Sequence, residues 1–297
     1  MNISSVLWPA SRLIREIATR LISLLNHLPG ASDLKTDAYA LTSRKLPAAY
    51  HGLRIVQLTD LHGRSFGERQ KELLDHVRGL HPDLVVLTGD FISEEYEGRE
   101  RRAVQDLLQG LARLYPVYAI LGNHECRSNH IVKILEDYRD AGVILLRNEG
   151  AYLWRSGVCI GLAGMETVNP MADDTAQSLL RKERAALRET LSRYERGERP
   201  VFQILLAHKP EPLPMYADYP VDLALSGHTH GGLLEIPFSG GKCLLAPGQG
   251  LFPQYTHGIY QERNTLMVLG RGLGGPRIGI GPEVVCIDLY SEHKGPV

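Results

Sequence analysis

The feature that most constrains this chain is where its polar chemistry falls: directly after short apolar runs. Leu53-Arg54-Ile55-Val56-Gln57-Leu58 leads into Thr59-Asp60-Leu61-His62-Gly63. Leu84-Val85-Val86-Leu87 leads into Thr88-Gly89-Asp90, and Val117-Tyr118-Ala119-Ile120-Leu121 into Gly122-Asn123-His124-Glu125. Later, Val201 to Ala207 precedes His208-Lys209-Pro210, and Val221 to Ser226 precedes Gly227-His228-Thr229-His230-Gly231-Gly232. Apolar runs of this length read as buried strands. In open α/β sheets ligands gather outside the carboxyl ends of strands. Five strand ends rich in Asp, His and Asn therefore describe one site.

Helical spacing fills the gaps between the first strands, over residues 68–79, 99–114 and 129–141. Leu73, Leu74 and Val77 share one side of the first, and Ile131, Ile134, Leu135 and Tyr138 mark the last. Strand and helix in alternation predict parallel βαβ units. The pattern then changes. Ile144 to Ala163 reads as three short strands, residues 174–196 as a long charged helix, and the chain from Leu233 onward as Gly- and Pro-rich with short strands, ending at Val284-Val285-Cys286-Ile287. Strands this numerous exceed one sheet with a helix each. We expect an α/β fold of two packed sheets with helices outside them.

Residues 51–297 form the expected domain, and residues 31–50, with Pro47, read as a polar connector. Residues 1–30 stand apart. Leu13, Ile14, Ile17, Leu21, Leu24, Leu25 and Leu28 share one helical face, with Arg12, Arg15, Glu16, Arg20 and Asn26 opposite and Pro29-Gly30 as a stop. Charges interrupt the apolar run, so it cannot span a bilayer, and it lacks the pattern of a secretory signal. It reads either as a helix packed on its own domain or a second subunit, or as one lying in a membrane interface through residues 11–28, with Trp8 as anchor. The expected location is the cytoplasm, with the inner face of the membrane as the peripheral alternative. The oligomeric state is not readable.

A net charge of -1 gives no global field for nucleic acid, and no nucleic-acid partner is expected. Cys126, Cys159, Cys243 and Cys286 form no C-x-x-C pair and read as reduced core or surface residues, with a packing role for Cys126. Imidazole and carboxylate suit zinc, manganese and iron. Paired ions about 3.5–4 Å apart recur in phosphoryl transfer, where one polarises the phosphoryl group and a shared water becomes a hydroxide near neutral pH. Two such ions carry about +4, and Asp60, Asp90 and the hydroxide reduce that to about +1, which attracts a phosphate ester.

The five motifs, D-x-H, G-D, G-N-H-E, a lone His and G-H-T-H, resemble in order the calcineurin-like metallophosphoesterase superfamily. Their spacing is 30 positions from Asp60 to Asp90 and 33 from Asp90 to Asn123. Thr59-Asp60-Leu61-His62-Gly63, the block at Gly227–Gly232 and Arg271-Gly272-Leu273-Gly274 look most like its bacterial YkuE/YaeI-type branch. The resemblance implies a four-layer α/β/β/α sandwich of two mixed β-sheets flanked by helices. It implies that Asp60, His62 and His230 hold one divalent ion, that Asn123, His208 and His228 hold another, and that Asp90 bridges both. Manganese is favoured over zinc, iron and magnesium. His124 would be the general acid.

The implied reaction is hydrolysis of a phosphodiester, phosphomonoester or pyrophosphate by a metal-bridging hydroxide. The branch suggests envelope or lipid-linked substrates such as UDP-diacylglucosamine. The alternative is a non-catalytic metal-binding scaffold of the same fold. Many relatives continue the second motif as G-D-x-x-D, and some use the second Asp to orient the catalytic histidine. Here that place is Ser93, so either Glu94 or Glu95 substitutes or His124 acts without a carboxylate partner. Arg127 and Arg271 read equally as phosphate contacts or as solvated arginines. His257 is a candidate for the rim, and Gly272 to Gly281 for a loop at the mouth or a surface turn.

Overall fold

The computed structural model describes residues 33–93, 96–171, 173–192, 200–233, 243–275, 277 and 280–292. Its first half runs β1 (Lys35–Ser43), β2 (Leu53–Leu58), α1 (Lys71–Gly79), β3 (Leu84–Leu87), α2 (Gly98–Ala112) and β4 (Val117–Ala119). Next come α3 (Asn123–Arg127), α4 (Ile131–Ala141), β5 (Ile144–Leu145), β6 (Glu149–Arg155), β7 (Val158–Met165) and α5 (Ala176–Ser192). The remainder is β8 (Gln203–Ala207), α6 (Leu213–Tyr216), β9 (Leu223–Ser226), β10 (Leu245–Ala246), β11 (Gly250–Leu251), β12 (Gly258–Glu262), β13 (Thr265–Leu269) and β14 (Glu283–Ser291).

Two six-stranded sheets form, in the orders β1-β14-β2-β3-β4-β5 and β12-β13-β9-β8-β7-β6. Both are mixed: β2 through β5 are parallel and β14 runs antiparallel to β2, while β7, β8, β9 and β13 are parallel between antiparallel edges β6 and β12. Alternation along β2 assigns each side chain to a layer. Ile55 points into the layer between the sheets with Val86, Ile160, Ile204 and Leu225. Val56 and Leu58 point the other way, against Leu73 and Val77 of α1 and Leu107 of α2. A third cluster, with Leu187 of α5 and Tyr216 of α6, covers the outer face of the second sheet. The result is the expected α/β/β/α order.

One boundary needs correction. Residues 31–50, read as a connector, contain β1, which pairs in parallel with β14 from Lys35↔Glu283 to Ser43↔Ser291. Its sequence, KTDAYALTS, is half-exposed along its length, as suits an edge strand, and so lacks the apolar run that marks a central one. Residues 1–30 lie outside the described residues. Among the described residues no helix is long and apolar enough to cross a membrane.

Parallel strands put their carboxyl ends together. β2, β3 and β4 end at one edge of the first sheet, and β8 and β9 end beside them on the second. Gln57 ties the two across the buried layer, its amide donating to Thr88 Oγ1 at 3.0 Å and to the Ser226 carbonyl at 2.8 Å.

Candidate metal centre

All five motifs meet at this edge. Asp60, His62 and His230 form one group of potential ligand atoms within 4.8 Å of one another, and Asp90, His208 and His228 form a second. A third group, His62, Asp90 and His124, links the two. His62 and His230 lie 3.9 and 3.8 Å from Asp60 Oδ1 through their Nε2 atoms, with their rings stacked at 4.9 Å. Asn123, 6% exposed, begins α3 directly after Gly122, which packs on Asp90.

The backbone here is bent into an uncommon shape. Asp60, His62, Asp90, His228 and His230 all have left-handed φ values, from 48° to 77°. For a residue with a side chain such conformations cost on the order of 1–3 kcal/mol each, and they persist only where the surroundings impose them. Hydrogen bonds between motifs do so. Asp60 N donates to the Gly89 carbonyl at 2.9 Å and His62 N to the Asp90 carbonyl at 3.1 Å. His228 N, from the second sheet, donates to the Asp60 carboxylate at 3.2 and 3.0 Å.

Glu125 is the brace of the second motif, and sequence reasoning gave it no role. Fully buried, its carboxylate accepts the N–H groups of Asp90, Phe91 and Gly122 at 2.9, 2.6 and 2.9 Å, and of Ile92 at 3.2 Å. Burial and the neighbouring Asp90 push its pKa up to about 7, while the backbone donors pull against them. Gly122 must lack a side chain: a Cβ there would sit 2.2 Å from Asp90 Oδ1.

Tautomers follow from the partners. His208 Nδ1 lies 2.7 Å from the Thr88 carbonyl and His230 Nδ1 lies 3.1 Å from the Gly274 carbonyl. A carbonyl only accepts, so each Nδ1 is the donor and, in the neutral ring, Nε2 keeps its lone pair. This is the usual support for a metal-binding histidine. Burial, with the neighbouring His230, lowers the His62 pKa to about 4; burial, with His208, lowers that of His228 to about 3. Burial also lowers the His230 pKa. Burial opposes charge on His208 as well, but the Asp90 carboxylate 3.0 Å away raises its pKa to about 10. Burial works against the Asp90 carboxylate too, yet the facing His208, His62 and His124 hold it well below the usual carboxylate range.

The donor atoms fit metal ions. His62 Nε2, His208 Nε2 and Asn123 Oδ1 are buried and have no hydrogen-bond partner among the described residues. Buried polar atoms are normally satisfied, and a cation would satisfy these three. His208 Nε2 faces Asp90 Oδ2 at 3.0 Å, and a cation would take the place of this ion pair.

Residues 53–232 match the family described as calcineurin-like phosphoesterase. The chain belongs to that family. Among curated relatives, the uncharacterized metallophosphoesterase YkuE of Bacillus subtilis is 31% identical over 88% of this chain and 87% of its own length. Phosphodiesterase YaeI of Escherichia coli is 30% identical over 70% of each chain. The UDP-2,3-diacylglucosamine pyrophosphatase LpxG of Chlamydia trachomatis is 27% identical over 81% of this chain and 84% of its own. As a metallophosphoesterase, the protein is a metal-dependent hydrolase of phosphoric esters.

The remaining sequence candidates of this metallophosphoesterase fall into place around the centre. Ser93 Oγ donates to the His62 carbonyl at 3.3 Å, and Ser93 N donates to the Glu100 carboxylate of α2. Glu94 and Glu95 lie outside the described residues. Arg271 sits against Gly231 but is drawn to Glu283, with Nε 3.5 Å from Oε2. Arg127 is exposed. Cys126 packs against the first core, and burial pushes its thiol up to about 12. His257 is next to Thr256, whose carbonyl receives the Thr229 hydroxyl at 2.7 Å. Gly272, Gly274 and Gly275 pack on Asp60, Leu61 and His230, which places this part of the Gly272–Gly281 stretch at the centre.

Proposed function

We propose that the chain hydrolyses a phosphodiester, phosphomonoester or pyrophosphate with two divalent ions. Asp60, His62 and His230 would hold one, Asn123, His208 and His228 the other, and Asp90 would lie between them. The observation that carries this reading is the trio of buried atoms without partners, His62 Nε2, His208 Nε2 and Asn123 Oδ1. Asp90 groups with His208 and His228 on one side and with His62 on the other, which supports a bridging place. All donors are nitrogen or oxygen, compatible with manganese, zinc, iron or magnesium; manganese is our first expectation. Bound ions of this kind polarise a phosphoryl group and make a held water acidic.

The residues of the chain supply the remainder. Two carboxylates against two divalent ions leave a positive balance that draws in a phosphate ester. His124 protonates the leaving oxygen. Its backbone N–H donates to Asp90 Oδ1 at 2.9 Å, and its ring, one-third exposed, stands edge-on to His62 at 4.8 Å. A partly open imidazole at the edge of the centre is apt for proton delivery. With Ser93 engaged to backbone, His124 has no carboxylate partner from that position. The LpxG and YaeI names support a diester or pyrophosphate, with an envelope or lipid-linked substrate such as UDP-diacylglucosamine. The amphipathic residues 11–28 would bring the chain to the inner face of a membrane.

The test is cleavage of bis(p-nitrophenyl) phosphate by metal-loaded protein, with metal content measured alongside. Asp90→Asn should lower metal content and activity together, the latter by at least about a hundredfold. His124→Ala should keep its metal and lose about 10²–10⁴-fold in rate, the usual worth of a general acid. Full activity in Asp90→Asn would sink the proposal.

A further inference from the structure

The loop after β13 lies on the first ligand group and is tied there through every carbonyl from Arg271 to Gly274. Arg277 Nη1 donates to the Arg271 carbonyl at 2.8 Å and to the Gly272 carbonyl at 2.9 Å. The Leu273 carbonyl accepts from Arg64 Nη1 at 3.1 Å, and the Gly274 carbonyl from His230 Nδ1 at 3.1 Å. The other ends of the same peptides face the first motif: Leu273 N donates to the Thr59 carbonyl at 3.0 Å and Gly274 N to the Asp60 carbonyl at 2.6 Å. A Cβ on Gly275 would run into the His230 ring. The loop thus sets both Asp60 and His230. His208 of the second group takes its acceptor from Thr88 instead.

Arg277 is the member that packing does not explain. It is 2% exposed, and its Nη2 is buried without a hydrogen-bond partner among the described residues. Burial and the neighbouring Arg64 lower its pKa to about 10, which leaves it charged at neutral pH. Enclosing a charge is costly, and a well-packed apolar side chain of similar volume is often no less stable. Stability alone therefore gives no reason for an arginine here. An apolar side chain cannot hold two successive carbonyls with one nitrogen, and so cannot stop the peptides behind them from turning.

We propose that Arg277 is a positioning residue for the ion that Asp60, His62 and His230 would hold, acting through the loop over residues 271–275. The inference rests on the two-ion reading and adds to it which outer residue serves which ion. Residues behind metal ligands typically account for about 10–100-fold in affinity. The sign discriminates between two roles. A bare positive charge near Asp60 repels a cation, so repulsion alone would let the ion bind more tightly once Arg277 is gone. Positioning makes it bind more weakly.

The test is titration of metal-free, full-length protein with manganese, with free ion read by its electron paramagnetic resonance signal. Wild type should take up two ions. Arg277→Met should weaken one of them by about 10–100-fold and leave the other within about twofold. His228→Ala and His230→Ala identify which. Added to His228→Ala, Arg277→Met should weaken the ion that remains; added to His230→Ala, it should not. If Arg277→Met does not fold, Arg64→Ala, at a partly exposed position, should show the same split on a smaller scale. Tighter binding, equal weakening of both ions, or no split in a folded variant each overturns the assignment. So does a lower melting temperature with both ions bound as in wild type, because Arg277 would then serve the fold alone. In all these cases two ions in wild type leave the two-ion reading standing. Fewer than two ions in wild type removes both.

Discussion

A single carboxylate holds the second motif in shape. Glu125 collects three backbone N–H groups that the turn through Asp90 leaves pointing inward, and a fourth from Gly122 at the start of its own helix. Hydrogen bonds to a charged acceptor contribute about 1.5–3 kcal/mol each, and stranding a buried donor costs about 1–3 kcal/mol. Glu125→Ala should therefore destabilise the fold by several kcal/mol, and Glu125→Gln, which keeps one acceptor, by less. Both should loosen Asp90 and weaken metal retention, read as a lower melting temperature and faster loss of metal to a chelator. Unchanged retention in a folded Glu125→Gln protein would show that the brace serves stability alone. The seven candidate ligands were legible because Asp, His and Asn after apolar runs are a chemical pattern. Glu125 was not, since one acidic residue inside a motif does not show where its oxygens point. The left-handed backbone at Asp60, His62, Asp90, His228 and His230 was equally hidden, because these residue types carry no such preference of the strength glycine has.

At the level of elements, the central strands announced themselves and the edge did not. β3 is LVVL, buried at every position, whereas β1 alternates half-buried and exposed residues and owes its place to pairing with β14. That pairing creates a titration the sequence does not reveal. Glu283 opens β14, 3% exposed, and burial with the nearby Asp37 raises its pKa from 4.5 to about 8, against the pull of Arg271. The folded state therefore holds this proton more tightly than the unfolded chain. Its contribution to stability is complete below about pH 4.5 and is lost as pH rises toward 8. Glu283→Gln fixes the neutral form. It should flatten the decline in melting temperature between pH 5 and pH 8 and raise stability near pH 8 by on the order of 1–2 kcal/mol, allowing for the lost contact to Arg271. Identical pH profiles for variant and wild type would mean that Arg271 keeps Glu283 ionised throughout.

For the whole molecule, the decisive geometry is where the chain enters it. β14 runs against β2, so its first residue, Glu283, lies at the end of the sheet where β2 delivers Asp60. Glu283 N donates to the Gly272 carbonyl at 3.0 Å, and a Cβ on Gly272 would fall 2.7 Å from the Asp60 Cβ. Lys35 is paired to Glu283 and donates to the Pro282 carbonyl at 3.0 Å. The segment before β1 thus joins the described domain at the end that carries the metal centre, a relation invisible while residues 31–50 read as a connector. If residues 11–28 bind a lipid surface, the centre is held close to it, as a phosphoester embedded in that surface would require. The apolar face with its opposing arginines favours anionic lipid. Full-length protein should then float with vesicles containing phosphatidylglycerol, less so at high salt, and protein lacking residues 1–30 should stay at the bottom of the gradient. Vesicle binding should also raise the full-length rate on a lipid-linked substrate relative to a short water-soluble one, with no such gain for the truncated chain. If both forms remain at the bottom, the segment does not anchor to lipid and packing on protein accounts for its apolar face.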